Sequence, residues 1–253
     1  MISSKVKISE FLSVCSFLMR EAGVIISQTR ASNNLKEEWK GKDDPMTIAD
    51  VKSQTLIEKG LRKFWPNLSI VGEEEVEYEG DLNFDFSSIN KEFIPSEIFI
   101  QNENKQMINN EFDLDESIVW IDPLDGTLNY VKNELDAVTT LIGVSSKNRP
   151  LMGLVCQHYI VQNNGEYIFK PQIFFGHVDF KKIYYFYGNE LENCGSKIPW
   201  ELKVNRTNIE KSSKVKSEPL IFCTSKNRFN ELMVERIGKL GEINFNIYYA
   251  LFM

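Results

Sequence analysis

The segment from Ser117 to Gln157 constrains the fold most, because three β-rich runs follow one another there with turn-forming residues between them. The runs at 117–121, 138–145 and 151–157 have the length and the branched side chains typical of strands. Residues 146–150, with the sequence SKNRP, predict a hairpin between the last two runs. We therefore expect a largely antiparallel sheet.

Two helices are predicted ahead of this segment. Apolar residues from Phe11 to Ile26 recur at spacings of three and four, which is one face of a helix. Thr47 followed by Asp50 is a capping-box pattern, and it predicts a second helix that runs to about Phe64, where Trp-Pro-Asn breaks it. Helices and an antiparallel sheet together indicate an α+β fold with the helices packed against the sheet.

Weaker signals predict the remaining elements. The polar stretch at 32–44, which includes Lys40, is expected to be a solvated loop, and 68–71 a short buried strand. Residues 75–116 form an acidic insertion with one helix at about 95–101. Further strands are expected at 167–169, 173–176, 183–187 and 220–223, and a helix at 227–240.

Composition excludes several classes of function. The formal net charge of −7 argues against a nucleic-acid partner, and no apolar run approaches the roughly 20 residues of a membrane-spanning helix. The N-terminus lacks a secretory signal pattern, and four widely spaced cysteines indicate reduced thiols in the cytoplasm. Two histidines argue against a His-based metal site, so the chemistry is expected to rest on carboxylates.

Acidic residues stand where predicted strands end or helices begin: Asp50, Glu73-Glu74, and Asp122 with Asp125 three positions later. Strand ends aim side chains into a shared cleft, and Mg²⁺ prefers carboxylate oxygens and water as ligands. Two such ions about 3.5–4 Å apart can polarise a phosphate and acidify a water. The pattern therefore indicates a magnesium site.

Each of these residues also has a purely structural interpretation. Asp50 can be only the partner of Thr47 in a helix cap, and Glu73-Glu74 can be part of a solvated acidic loop. Asp122 and Asp125 can simply cap a Pro-Gly turn. His158 is expected to be a packed or surface histidine rather than a catalytic one.

Three blocks together resemble the inositol monophosphatase superfamily, the lithium-sensitive magnesium phosphatases. They are MTIAD, which ends at Asp50, IVGEEE, which contains Glu73 and Glu74, and WIDPLDGT at 120–127. Their order matches the family over roughly residues 8–160. The resemblance implies a layered α/β sandwich of the sugar-phosphatase type.

The resemblance also implies a role for each matching carboxylate, with two or three Mg²⁺ ions in the site. Glu73, Asp122 and the carbonyl of Leu124 would hold one ion, and Asp122 with Asp125 would hold the second. Glu74 would line the substrate site or help to place a third ion.

The same resemblance assigns catalysis to three further positions. Asp50 and Thr127 would orient and deprotonate the attacking water. Gly126 and Thr127 would contact the substrate phosphate through their backbone amides, at the start of a helix. Attack would be direct, with no phosphoenzyme.

Two features select a branch of the superfamily. The gap of 49 positions from Glu73 to Asp122 and the hairpin LDAVTTLIGVSSKNRPLMGLVCQHY resemble the 3'(2'),5'-bisphosphate nucleotidases. Inositol polyphosphate 1-phosphatases share the hairpin but often have Ser where Gly126 stands, and they are the alternative. The expected partner is a small phosphorylated substrate, bound by a monomer or homodimer.

The C-terminal region departs from the family pattern. No segment matches the W-D-x-x-A motif, whose Asp completes the second metal site in the family. We therefore expect a catalytic domain at 1–160 and an incomplete second lobe at 161–253. This departure also leaves open another class of function, a weak or inactive remnant that binds metal or a phosphorylated ligand.

Overall fold

The fold is seen in a computed structural model, which describes residues 5–91 and 110–178 and four further strands at 183–187, 201–202, 220–224 and 245–249. Its contacts define two compact units, Met1–Leu202 and Lys203–Met253. The assignment of a catalytic domain to 1–160 and a second lobe to 161–253 stays a prediction. The helices predicted at 95–101 and 227–240 lie outside the described residues.

Two long helices form where the sequence predicts them. Helix α1 spans Ile8–Ala31 and buries the predicted apolar face. Helix α2 spans Ile48–Phe64, and both halves of the capping box at Thr47 and Asp50 are present. It ends two residues before a proline, whose ring disfavours helical backbone in the residue ahead of it.

The described strands are β1 (Lys5–Lys7), β2 (Glu38–Gly41), β3 (Asp44–Met46), β4 (Ser69–Gly72), β5 (Glu111–Asp113), β6 (Ser117–Asp125), β7 (Thr139–Ser146), β8 (Arg149–Val161), β9 (Tyr167–His177), β10 (Ile183–Tyr187), β11 (Glu201–Leu202), β12 (Leu220–Thr224) and β13 (Phe245–Tyr249). Seven of them form one sheet in the order β11-β10-β9-β8-β7-β6-β4. Every pair in this sheet is antiparallel except β4 with β6. The predicted α+β fold with a mainly antiparallel sheet is confirmed.

The hairpin predicted at 146–150 is also confirmed. Strands β7 and β8 pair antiparallel up to Ser146 and Arg149. The two residues between them, Lys147 and Asn148, have φ values of 51° and 61°. Positive φ at both central positions is typical of a type I′ turn, whose twist matches that of the strands.

Three local predictions were wrong. The loop predicted at 32–44 contains β2 and the first residue of β3, and these two strands pair as a short hairpin. The strand predicted as buried, β4, has exposed or half-buried side chains because it lies at the edge of the sheet. The strands predicted at 167–169 and 173–176 are one strand, β9, which continues through Pro171.

Small sheets complete the described structure. Strand β1 pairs antiparallel with β5, which ties the start of α1 to the end of the acidic insertion. In the second unit β12 pairs parallel with β13, and β12 lies at the predicted position 220–223. None of the helices in the described ranges is long and apolar enough to cross a membrane.

The main core lies between the two helices and the sheet, and it includes a histidine. Apolar residues of α1 and α2 pack against alternate residues of β6, β7, β8 and β9. His158 on β8 is fully buried, as the packed interpretation predicts. Burial lowers the pKa of His158 to about 3, because the interior disfavours an imidazolium.

We expect His158 to make the fold sensitive to acid. Its pKa is about 3 when folded and about 6.5 when unfolded. Its contribution to stability is therefore complete above pH 6.5 and is lost as the pH falls toward 3. The slope approaches about 1.4 kcal/mol per pH unit. Urea unfolding between pH 7 and 4.5 should show a steeper loss for wild type than for His158→Gln, and parallel curves would contradict the prediction.

Candidate active site

A bulge in β6 brings two aspartates onto the same side of the strand. The pairing of β6 with β7 shifts between Asp122 and Asp125, so that Pro123 and Leu124 both oppose Thr140. In a regular strand, residues three apart point to opposite faces. The extra residue in the bulge brings both side chains to the same face. A proline is tolerated there because a bulged residue does not need to donate an N–H to the ladder. The D-x-x-D spacing thus presents both carboxylates together.

Asp50 joins the start of α2 to the turn after β6. Its Oδ2 accepts hydrogen bonds from the backbone N of Thr47 at 2.8 Å and from Thr47 Oγ1 at 2.6 Å. Its Oδ1 lies 3.1 Å from Thr127 Oγ1, which also lies 2.8 Å from the carbonyl oxygen of Leu124. Burial raises the pKa of Asp50 to about 6, although the hydrogen bonds from Thr47 and Thr127 oppose the shift.

The parallel pairing of β4 with β6 brings Glu73 beside Asp122. Gly72 lies opposite Ile121, and the backbone N of Glu73 donates to the Ile121 carbonyl at 2.9 Å. Burial, the charge and hydrogen bond of Glu73 and the charge of Asp125 together raise the pKa of Asp122 to about 8. Asp122 Oδ1 is buried and has no hydrogen-bond partner among the described residues. Asp122 therefore lies among acidic side chains that favour its protonated form.

Glu74 faces a different set of partners. Its buried carboxylate forms an ion pair with Lys40 of β2 at 2.6 Å. Gln54 of α2 holds its backbone at both ends, since Oε1 accepts from Glu74 N at 2.9 Å and Nε2 donates to Glu74 O at 2.7 Å. Burial raises the pKa of Glu74 although Lys40 opposes the shift. Lys40 is exposed, as predicted, but its ion pair with Glu74 was not predicted.

The carboxylates fit a divalent cation in their chemistry. Their donors are all oxygens, and the unpaired, buried Oδ1 of Asp122 is an atom that a cation would satisfy. In the described ranges no three His, Cys, Asp or Glu side chains are already arranged to hold a metal ion together. The neighbouring acidic side chains favour the protonated form of Asp122, and a cation would replace that proton.

A cavity of about 300 Å³ lies beside this cluster. It is lined by α2 residues and by the segment 74–77, and Glu74 is the residue it shares with the predicted site. Its lining includes Glu58, Lys59 and Arg62, so it carries charges of both signs. Neither Asp122 nor Thr127 lines it, and it is therefore not the place where the predicted chemistry would occur.

Gly126 is required by the turn between β6 and the short helix α3 (Thr127–Lys132). Its φ is +83°, and a Cβ would lie 2.7 Å from the carbonyl oxygen of Ala137. Gly165 has the same φ but nothing within 4 Å of its Cβ position. A comparison of substitutions at the two glycines therefore separates the cost of left-handed backbone from the cost of steric overlap.

We expect Gly126→Ala to destabilise the fold more than Gly165→Ala. Left-handed backbone alone costs about 1–2 kcal/mol at either position. The overlap with Ala137 adds roughly 1–3 kcal/mol at Gly126 only. Urea unfolding of both variants measures the difference, and equal losses would show that the turn can move away from Ala137 at no cost.

The structure brings most of the predicted residues into two connected groups. Asp50 and Thr127 are hydrogen-bonded, and Leu124 joins them through its carbonyl. Glu73 and Asp122 form the second group, with Asp125 close enough to raise the Asp122 pKa. Gly126 shapes the turn, while Glu74 is directed toward Lys40.

Sequence reasoning missed Gln54 and the threonines of β7. Thr139 Oγ1 lies 3.4 Å from Asp125 Oδ2, and Thr140 Oγ1 donates to the Pro123 carbonyl at 2.8 Å. The available signal for the two threonines was a polar Thr-Thr pair directly before the apolar residues of β7. No pattern in the sequence predicted that Gln54 would hold the backbone of Glu74.

The chain is similar in sequence to several known proteins. Residues 7–221 match the model described as "Inositol monophosphatase family". A 3'(2'),5'-bisphosphate nucleotidase 1 from Dictyostelium discoideum is 35% identical over 162 residues, which cover 63% of this chain and 50% of the relative. An inositol monophosphatase 3 from Xenopus tropicalis is 33% identical over 156 residues, 59% of this chain and 41% of the relative. The chain thus spans about half the length of the curated relatives it matches.

A solved structure supports the fold. The extragenic suppressor protein suhB from Bartonella henselae superimposes with a TM-score of 0.50 at 16% identity, covering 94% of this chain and 70% of that one. At this level of identity the likeness concerns the fold and not the activity.

Proposed function

The chain belongs to the inositol monophosphatase family, and from this we infer that it is a magnesium-dependent phosphate monoester hydrolase. The observation that carries the proposal is the contact between Asp50 and Thr127, beside a carboxylate pair with an unsatisfied oxygen. A capping residue alone does not need a second partner 77 positions away.

The residues of this chain divide the work between them. Glu73, Asp122, Asp125 and the carbonyl of Leu124 would hold Mg²⁺. When bound, Mg²⁺ would polarise the phosphate and lower the pKa of the attacking water. Glu74 would line the substrate site.

The proton of the attacking water would leave through Thr127. Thr127 Oγ1 accepts it and passes its own proton to Asp50 Oδ1, 3.1 Å away. With a pKa of about 6, Asp50 is ionised at neutral pH and still basic enough to accept a proton. The backbone amides of Gly126 and Thr127 would bind the substrate phosphate.

The proposed substrate is a nucleotide such as adenosine 3',5'-bisphosphate, cleaved at its 3'-phosphate. The Dictyostelium discoideum relative and the 49-position spacing favour it. The Xenopus tropicalis relative favours an inositol phosphate as the alternative. A cytoplasmic location accords with the free, buried thiols of Cys15 and Cys156. A monomer or homodimer is proposed.

Phosphate release from adenosine 3',5'-bisphosphate and inositol 1,4-bisphosphate, with and without Mg²⁺, tests the proposal. We expect release that needs Mg²⁺, is faster with the nucleotide and is inhibited by lithium. Faster release from the inositol phosphate would select the alternative. A folded chain that binds Mg²⁺ but releases no phosphate from either compound would be a binding remnant, and the hydrolase proposal would then be wrong.

A further inference from the structure

Two prolines occupy bulges in neighbouring parts of the sheet. In β6, Pro123 belongs to the extra pair that opposes Thr140. In β9, the pairing with β8 shifts so that Lys170 and Pro171 both oppose His158. Thr140 and His158, the single residues that face these bulges, are hydrogen-bonded to each other at 2.8 Å between Oγ1 and Nε2.

The directions of the hydrogen bonds follow from counting protons. Thr140 Oγ1 lies 2.8 Å from the Pro123 carbonyl, which can only accept, so the hydroxyl proton is donated there. Thr140 must then accept from His158, which places the imidazole proton on Nε2. Nδ1 is left as an acceptor, and the thiol of Cys156 lies 3.5 Å from it. A series of polar contacts therefore runs from the Cys156 thiol through His158 and Thr140 to the Pro123 carbonyl.

The environment leaves this series little freedom. Thr140, Cys156 and His158 are fully buried. A Cβ on Gly23 of α1 would lie 2.4 Å from His158 Nδ1, so α1 packs directly on the imidazole. The ring of Phe169 borders the same point. Burial also keeps the imidazole neutral, as a donor and an acceptor at once requires.

We propose that Thr140 and His158 are positioning residues, which hold the Pro123 carbonyl and thereby aim Asp122 and Asp125 together at the cation. Pro123 lies directly after Asp122 and two positions before Asp125. A bulge has lost regular ladder bonds, so a side-chain donor is what fixes the direction of its carbonyl. This proposal rests on the proposed function, since it assigns the two residues to the same site.

Cation binding tests the positioning role in the full chain without relying on turnover. Thr140→Val keeps the shape and removes the donor, and it should weaken Mn²⁺ binding, measured by calorimetry, by about 10-fold or more. Thr140→Ser restores the hydroxyl and should bind within about twofold of wild type. Thr55→Val is the matched control, because it removes a buried hydroxyl that lies on α2 rather than in the sheet and accepts from Tyr78 N.

His158 supplies a second pair of variants. The amide nitrogen of Gln reaches about as far as Nε2, whereas that of Asn is shorter, so His158→Gln should retain Mn²⁺ binding and His158→Asn should lose it. In wild type, ¹⁵N NMR of the imidazole should show the proton on Nε2. A proton on Nδ1, or a folded Thr140→Val that binds Mn²⁺ as wild type does, would overturn the proposal.

The outcomes separate this proposal from the proposed function. Mn²⁺ binding that depends on Thr140, with no phosphate release from any substrate, would support the positioning role and overturn the hydrolase. Phosphate release by the wild-type chain, together with full Mn²⁺ affinity in Thr140→Val, would support the hydrolase and overturn the positioning role. A wild-type chain that binds no Mn²⁺ would overturn both.

Discussion

Replacing Asp122 with asparagine should abolish magnesium-dependent phosphate release while stabilising the metal-free chain. The rate should fall by at least 10³-fold, about 4 kcal/mol in barrier height, because the residue shared by both proposed cation sites loses its charge. Stability should rise because the variant no longer buries a carboxylate beside Glu73 and Asp125. Activity and stability thus change in opposite directions, which a residue with a purely structural role would not produce.

The stabilisation by Asp122→Asn should depend on pH in a defined direction. The pKa of Asp122 is raised to about 8 in the fold, and it is about 3.9 in an unfolded chain. The free energy of unfolding therefore carries no cost from Asp122 below pH 4, where the carboxyl is protonated in both states. The cost is complete above pH 8, where Asp122 is ionised in both states. The gain should reach on the order of 1–3 kcal/mol at pH 8.5 and vanish near pH 4.

Thermal unfolding in EDTA at both pH values, together with phosphate release in Mg²⁺, measures the two effects of Asp122→Asn. Asp115→Asn is the control, since Asp115 is an exposed acid in the turn ahead of β6. It should change neither quantity. A variant at Asp122 that is less stable at pH 8.5 would contradict the account of Asp122 as a buried carboxylate beside other acidic side chains.

Replacing Asp50 with asparagine should reduce the rate by roughly 10²–10⁴-fold, the usual contribution of a general base. Stability should change less, because the amide oxygen of Asn can still accept from Thr47 and cap α2. The amide cannot take a proton from Thr127 at pH 7, so the relay is broken. The variant therefore separates the two roles of this residue, the helix cap and the base.

The pH–rate profile distinguishes the base from a cap. In wild type the rate should fall as the pH drops below about 6, where Asp50 becomes protonated. This acid limb should be missing from the residual activity of Asp50→Asn.

Thr127→Val should reproduce the loss of rate, whereas Thr127→Ser should retain activity. Asp85→Asn is a control, because Asp85 also caps a short helical turn but lies in the acidic insertion. An unchanged acid limb in Asp50→Asn would assign the limb to another group.

Much of the fold and of the site could be predicted because the signals are local. The apolar spacing predicted α1, the capping box predicted α2, and the turn-forming residues at 146–150 predicted the hairpin. The sequence also marked the acidic residues, because they stand at element ends. Their roles stay predictions.

The missed features depend on contacts distant in sequence. Lys40 belongs to a hairpin without a periodic signal and meets Glu74 only through the fold. Two strands were predicted at 167–169 and 173–176, but a bulge that contains Pro171 lets them continue as one. The bulge at Pro123 was expected to be a simple turn, since pairing with Thr140 cannot be deduced from either strand alone.

The parallel pairing of β4 with β6 determines when the carboxylates can meet as the chain folds. Asp122 and Asp125 belong to β6. The segment 126–138 connects β6 to β7 and a two-residue turn connects β7 to β8, whereas Glu73 stands 49 positions before Asp122. Closing that long loop costs entropy before any contact compensates for it, so β4 should dock late. Its register rests on four residues, and a slip of one would bring Gly72 or Glu74 to the place of Glu73. The ability to bind a cation should therefore appear only at the last step of folding, and a cation should slow unfolding without accelerating the early steps of folding.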